Sequence, residues 1–398
     1  MKYLNSIQPP RHGGLQAAGA FLVIFLFAPI FFDQSGIFSS TAPMARGVPI
    51  SALLVPLVLI ALLIGNPRNQ FLLLCFAIIS IVLPVILRFA LEDQSEIDFV
   101  LVGSYMVPIL VGYNSFILSI LFFGRRAASK LLFYSAIAVS IICIPWLLYQ
   151  YDNIVSNGRA NGDVFGWFVI YQVWVYWPTV LAILLCGISE FRGMLAIFLR
   201  VILGISIIST GAREPILFCV FFYGIYSIRS NGVRGLLFFL VSAVIAIFIS
   251  YFVYFSYPDL VISRKLDHMI SGAQGLDAGR LFVLEKFDLL GINPVWGLGY
   301  SSSGIFGSPH NQYIDLFYRG GLLGCVPIIF IFLMLLLNIK SFNAVIWSVL
   351  ITIFFVSFNI NTPIRVPYSG SIIWFLIFSI FNTSRKGVRN EENSAKFG

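Results

Sequence analysis

Read for hydrophobic and polar positions alone, the chain is a succession of apolar runs separated by short polar breaks. Runs at 15–32, 48–65, 70–90, 99–115, 129–149, 166–187, 193–209, 214–228, 233–256, 321–339, 343–361 and 368–382 lie at or near the ~18-residue length of a spanning helix. They predict an all-α polytopic membrane protein of about twelve transmembrane helices with both termini on one side. The first run is longer than a signal-peptide core and others follow it, so Lys2 and Arg11 flank an uncleaved helix. Two runs carry complications. Gly112, Tyr113 and Asn114 interrupt 99–123, which makes its second part a candidate interfacial helix. Arg200 falls inside 193–209, where a cation is costly unless it snorkels to the helix end or serves a function.

One stretch breaks the pattern. From Tyr257 to the start of the next run the chain displays Asp259, Arg264, Lys265, His268, Asp277, Arg280, Glu285, Asp288, His310, Asp315 and Arg319. Residues 1–256 thus read as nine spans, 257–320 as one long polar loop containing short helices, 321–382 as three more spans, and 383–398 as a polar tail.

Composition sharpens this picture. The 398 residues are 59% hydrophobic and 11% charged, with a mean hydropathy of +0.93; soluble domains carry roughly 25% charged residues. A net charge of +8 would suit nucleic acid, but many basic residues sit in short loops between runs, as topology signals do, and we exclude that partner. Lys2, Arg11, Arg68, Arg125, Arg126, Arg192, Arg229, Arg234, Lys340 and Arg385 mark one side as cytoplasmic. The opposite loops hold fewer cations and the acidic group Glu92, Asp93, Glu96 and Asp98, so the long loop lies outside. Cys75, Cys143, Cys186, Cys219 and Cys325 lie in or beside apolar runs without a CxxC pair and read as small hydrophobes. Aromatics from Trp146 to Trp177 fit an interfacial belt.

Candidate chemistry gathers on the outer side. Asp277 to Gly291 reads as a helix with Asp277 as N-cap and Gly291 as its stop. Arg280 then falls in the first turn, where the helix dipole gives a cation nothing, which points to an anionic ligand. A second start reads Ser308-Pro309-His310-Asn311, with Ser308 as N-cap and Pro309 at the first helical position. His310 in that first turn would stay neutral, fit to accept a proton or orient a hydroxyl. Tyr313 shares its face, and Asp315 and Arg319 are spaced to pair. Arg213, in the turn before Glu214-Pro215, and Arg365, between Pro363 and Pro367, would join Arg280 and Arg319 around a phosphate. Metal-binding, Walker A and GxSxG motifs do not occur, so no metal or cofactor is expected.

His310-Asn311, followed by Gly321-Leu-Leu-Gly324, resembles the outer-loop signature of bacterial O-antigen polymerases and ligases. Gly279-Arg280, the turn Asn293-Pro294-Val-Trp-Gly297-Leu-Gly299 and the turn at Arg213 resemble the same families. The resemblance covers roughly 209–324 and the overall span plan. It implies an inverting GT-C-type glycosyltransferase at the periplasmic face of the bacterial inner membrane, acting on undecaprenyl-pyrophosphate-linked glycans. Arg213 and Arg280 would then neutralise the pyrophosphate, His310 would serve the acceptor hydroxyl, and Asn311, Tyr313, Arg319 and Arg365 would line the substrate site. A chain-length regulator is an expected partner. A polymerase adds another lipid-linked repeat unit, whereas a ligase uses lipid A–core; the Phe-rich composition and compact loop tilt us to polymerase. A lipid-linked oligosaccharide flippase is the alternative from another class.

Overall fold

The computed structural model describes residues 68–92, 99–123, 127–157, 160, 163–164, 168–169, 177–256, 292–300, 311–339, 342–365 and 367–380. The expected spans 15–32 and 48–65, the Asp277–Gly291 helix with Arg280, residues 301–310 with His310, and the tail lie outside the described residues. What is described is almost entirely helical. In chain order come α1 (Arg68–Leu91), α2 (Phe99–Phe123), α3 (Ala127–Tyr149), α4 (Tyr151–Asn157), α5 (Trp177–Gly187), α6 (Met194–Thr210), α7 (Glu214–Asn231) and α8 (Val233–Ser256). Then follow α9 (Gln312–Leu337), α10 (Ala344–Ile360, with a π turn at Ile353–Ser357) and α11 (Pro367–Ile380). Between α4 and α5 a two-residue antiparallel pair joins β1 (Asp163–Val164) to β2 (Phe168–Val169).

Four of these helices, α1, α2, α3 and α9, are long and apolar enough to cross a membrane, and α5, α6, α8, α10 and α11 supply shorter apolar helices. Such a set suggests a multi-pass membrane protein, since only closed backbone hydrogen bonding survives in lipid. Its outer helices agree: α8 packs on α7 and leaves Leu237, Phe238, Val241, Val244 and Phe248 exposed. The centre is α5, whose residues are buried but for Leu185 and which packs against α3, α6, α7, α10 and α11.

Two expectations change. The 166–187 run is not one helix: Phe168–Val169 is strand, and α5 starts at Trp177 with Pro178 behind it, where a missing N–H does no harm. The 99–123 run is not interrupted either. α2 is continuous through Gly112, because Gly112 is where α11 crosses it: a Cβ there would come within 2.6 Å of the Trp374 Cβ and 2.9 Å of the Ser371 carbonyl. A small residue lets two membrane helices approach closely. The run expected from 321 keeps its start: the helix that opens at Gln312 is two helices meeting at a kink at Gly321.

Arg200 proves structural. Its guanidinium donates to the carbonyls of Ile188, Ser189 and Phe191 at 3.0, 2.9 and 2.6 Å, closing the turn after α5. The cysteines are all free thiols, buried or half-buried, as small core residues should be.

Gly112→Leu should therefore destabilise the bundle by about 2 kcal/mol or more through overpacking. Gly103→Leu on the same helix meets nothing within 4 Å and should be near neutral. Thermal unfolding in detergent checks the contrast; equal losses would contradict it.

Candidate functional site

The Arg213 turn is built by its sequence. α6 ends at Gly211 in the left-handed region (φ 70°), where Thr210 accepts the Ala212 N–H at 3.3 Å and donates to the Ile207 carbonyl at 2.7 Å. α7 then opens on Glu214-Pro215, an acid and a proline in a first turn that favours both. Arg213 occupies the N-cap position, and its side chain makes no capping bond. Half-buried, that side chain has no hydrogen-bond or ion-pair partner among the described residues.

Glu214, only 5% exposed, turns inward. Its carboxylate accepts from the Thr179 hydroxyl of α5 at 2.9 Å and from the Asn361 side-chain amide just past α10. Asn361 opens the loop that carries Arg365: Pro363–Arg365 forms a 3-10 turn whose Pro363 carbonyl accepts from Ser369, and whose Ile364 N–H donates to the Gln312 side chain at 3.0 Å. One end of the bundle thus joins the Arg213 turn, the backbone of the Arg365 loop and the first residue of α9.

The start of α9 corrects the predicted capping. Asn311, in extended conformation, is the N-cap, its side-chain oxygen accepting from the Tyr313 and Ile314 N–H groups at 3.0 and 3.1 Å. Ser308 is therefore not the cap of this helix, and His310 precedes it instead of lying in its first turn. An asparagine with extended backbone is as good a cap as a serine. Tyr313 points its hydroxyl at the Phe354 carbonyl, 2.8 Å away, in the π turn of α10.

Asp315 and Arg319 pair as their spacing predicts, Nε to Oδ1 at 2.9 Å, and both are buried, at 0% and 7% exposure. Asp315 also accepts from the Tyr105 hydroxyl of α2. Arg319 is thus charge-balanced within the protein, unlike Arg213. Burial, then the negative charge of Asp315, pushes the neighbouring Tyr300 phenol far above its usual range, so it remains a neutral hydroxyl.

Beyond this pair α9 breaks at Gly321 (φ 58°, ψ −153°), a conformation L side chains rarely adopt. The opened backbone is taken up by the 292–300 turn. Leu298 and Tyr300 N–H groups donate to the Tyr318 and Arg319 carbonyls at 3.0 and 3.1 Å, while Leu322 and Leu323 donate to Pro294 and Val295 at 2.9 and 3.1 Å. Arg88 and Glu92, at the end of α1, pin the turn from outside: Arg88 donates to the Leu298 carbonyl and Glu92 accepts from the Trp296 indole at 2.7 Å.

The structure therefore brings together the Arg213 turn, the Arg365 loop and the Asn311 cap, and pairs Arg319 internally. Sequence reasoning missed Glu214, Thr179, Asn361, Gln312, Tyr105 and Arg88. Glu214-Pro215 at a helix start was the one legible signal among them.

Comparison of the chain with protein-family models, curated proteins and solved structures returned no match. Its chemistry rests on the geometry above.

Removing one partner from a buried ion pair costs about 3–5 kcal/mol, while replacing both with apolar groups costs far less. Asp315→Leu/Arg319→Met should accordingly unfold at a higher temperature than Asp315→Leu alone. Additive losses in detergent melts would contradict the buried pair.

Proposed function

We propose that this chain is a membrane-embedded glycosyltransferase of the O-antigen polymerase type. It joins undecaprenyl-pyrophosphate-linked repeat units at the periplasmic face of the inner membrane, on a topology of about twelve spans with cytoplasmic termini. The observation that carries this reading is Arg213. A half-buried guanidinium without a partner among the described residues, at a helix start and beside a second arginine-bearing loop, suits the oxygens of an anionic group such as a phosphate.

The acceptor hydroxyl attacks the anomeric carbon of the donor as the bond to the pyrophosphate oxygen breaks, inverting the configuration. Arg213 and Arg280 balance the charge that develops on the departing pyrophosphate. The acceptor's proton passes to His310, the residue before the Asn311 cap in sequence. Arg365 and Tyr313 flank the substrate, and Arg319 serves it indirectly by fixing α9 through Asp315. The polyprenyl chain lies along the exposed apolar helices. A chain-length regulator would act on this catalyst from outside the described residues.

Ligation to lipid A–core uses the same donor chemistry and differs in the acceptor. Transport of a lipid-linked oligosaccharide is the competing reading, favoured by a buried Asp315–Arg319 pair inside a span-length helix.

Purified protein in nanodiscs, given lipid-pyrophosphate-linked repeat units and no ion gradient, should release undecaprenyl pyrophosphate and build polymer. Arg213→Ala and His310→Ala should each lower turnover roughly 100-fold. Product appearing only on added lipid A–core would convert the reading to ligase, and gradient-dependent translocation without turnover would replace it with transport.

A further inference from the structure

Opposite charges close together in an apolar protein gain by pairing, because each is costly to bury alone. Glu214 and Arg213 do otherwise. The Glu214 carboxylate faces the core and receives the Thr179 hydroxyl and the Asn361 amide, and Arg213 is left half-exposed with no partner among the described residues. The turn's construction enforces this division. Gly211 in the left-handed region and Pro215 in the first turn of α7 restrict its backbone, and Glu214 is the first helical residue, directed at α5 and α10. Asn361, three positions before the Ile364 N–H that Gln312 binds, extends the connection to the start of α9.

We propose that Glu214 is a positioning residue: it locks the Arg213 turn to the Asn361–Arg365 loop and keeps the Arg213 guanidinium clear of carboxylates and open to an anionic ligand. Without the carboxylate, a buried hydroxyl and a buried amide lose their acceptor, and the turn and the loop separate. The lock stands on geometry alone, whereas its catalytic consequence rests on the glycosyl-transfer reading above.

Hydrogen–deuterium exchange tests the lock without any substrate. Glu214→Ala should accelerate exchange at 211–217 and at 361–365 together, leaving 292–300 as in the wild type. Unchanged exchange at 361–365 would overturn the proposal. Thr179→Val, which removes a single donor, should produce the same pattern more weakly and serves if Glu214→Ala fails to fold; no change there would equally overturn it. Kinetics then test the action through Arg213. Glu214→Ala should lower kcat/KM about 100-fold, Glu214→Gln should restore part of it, and Glu214→Ala added to Arg213→Ala should cost nothing further. Additive losses would overturn the positioning role. If the wild type turns over no lipid-linked donor, the function fails, and the exchange result alone decides the lock.

Discussion

Polar groups inside an apolar helical bundle must find partners within the protein, and the arrangement of this chain follows from where they find them. The carboxylate of Glu214 is the clearest case. In water it would need nothing from the fold; buried at 5% exposure it draws on Thr179 of α5 and on Asn361 in the loop after α10. Three elements far apart in sequence are thereby fixed at one end of the bundle. The same requirement puts Arg200 on the carbonyls that α5 leaves open, and Asp315 against both Arg319 and Tyr105.

The break in α9 obeys the same rule at the level of the backbone. At Gly321 the helix gives up its internal ladder, and in an apolar setting the freed carbonyls and N–H groups would be prohibitive to leave open. The 292–300 turn supplies the complementary groups, so the segment before α9 and the helix itself become one unit. Arg88 and Glu92 tie that unit to α1. What the long polar loop returns to is thus a rigid junction, with the Asn311 cap on one side and the broken helix on the other.

Much of the helical plan was legible in the apolar runs, because length and hydropathy act locally. The starts and stops of α1, α6, α7, α8 and α11 fall within a few residues of the runs that predict them. Gly112 misled for a physical reason: a glycine pair-breaker on paper is, against Trp374 and Ser371, a contact surface. The cap of α9 misled because Ser308 and Asn311 both satisfy the local rule, and the helix opens on Asn311. At the site, the Asp315–Arg319 pair was visible from its four-residue spacing. Glu214 with Asn361 was not, since 147 positions separate them and only tertiary packing brings them together.

Arg213 is a cation without a partner among the described residues, and the proposed function gives it the lipid pyrophosphate as its ligand. The most direct measurement is a cryo-electron microscopy structure of the full chain in nanodiscs with undecaprenyl pyrophosphate. We expect pyrophosphate density within hydrogen-bonding reach of the Arg213 guanidinium, between the Asn361–Arg365 loop and the start of α9. Density elsewhere, with Arg213 turned onto a protein carboxylate, would contradict the account.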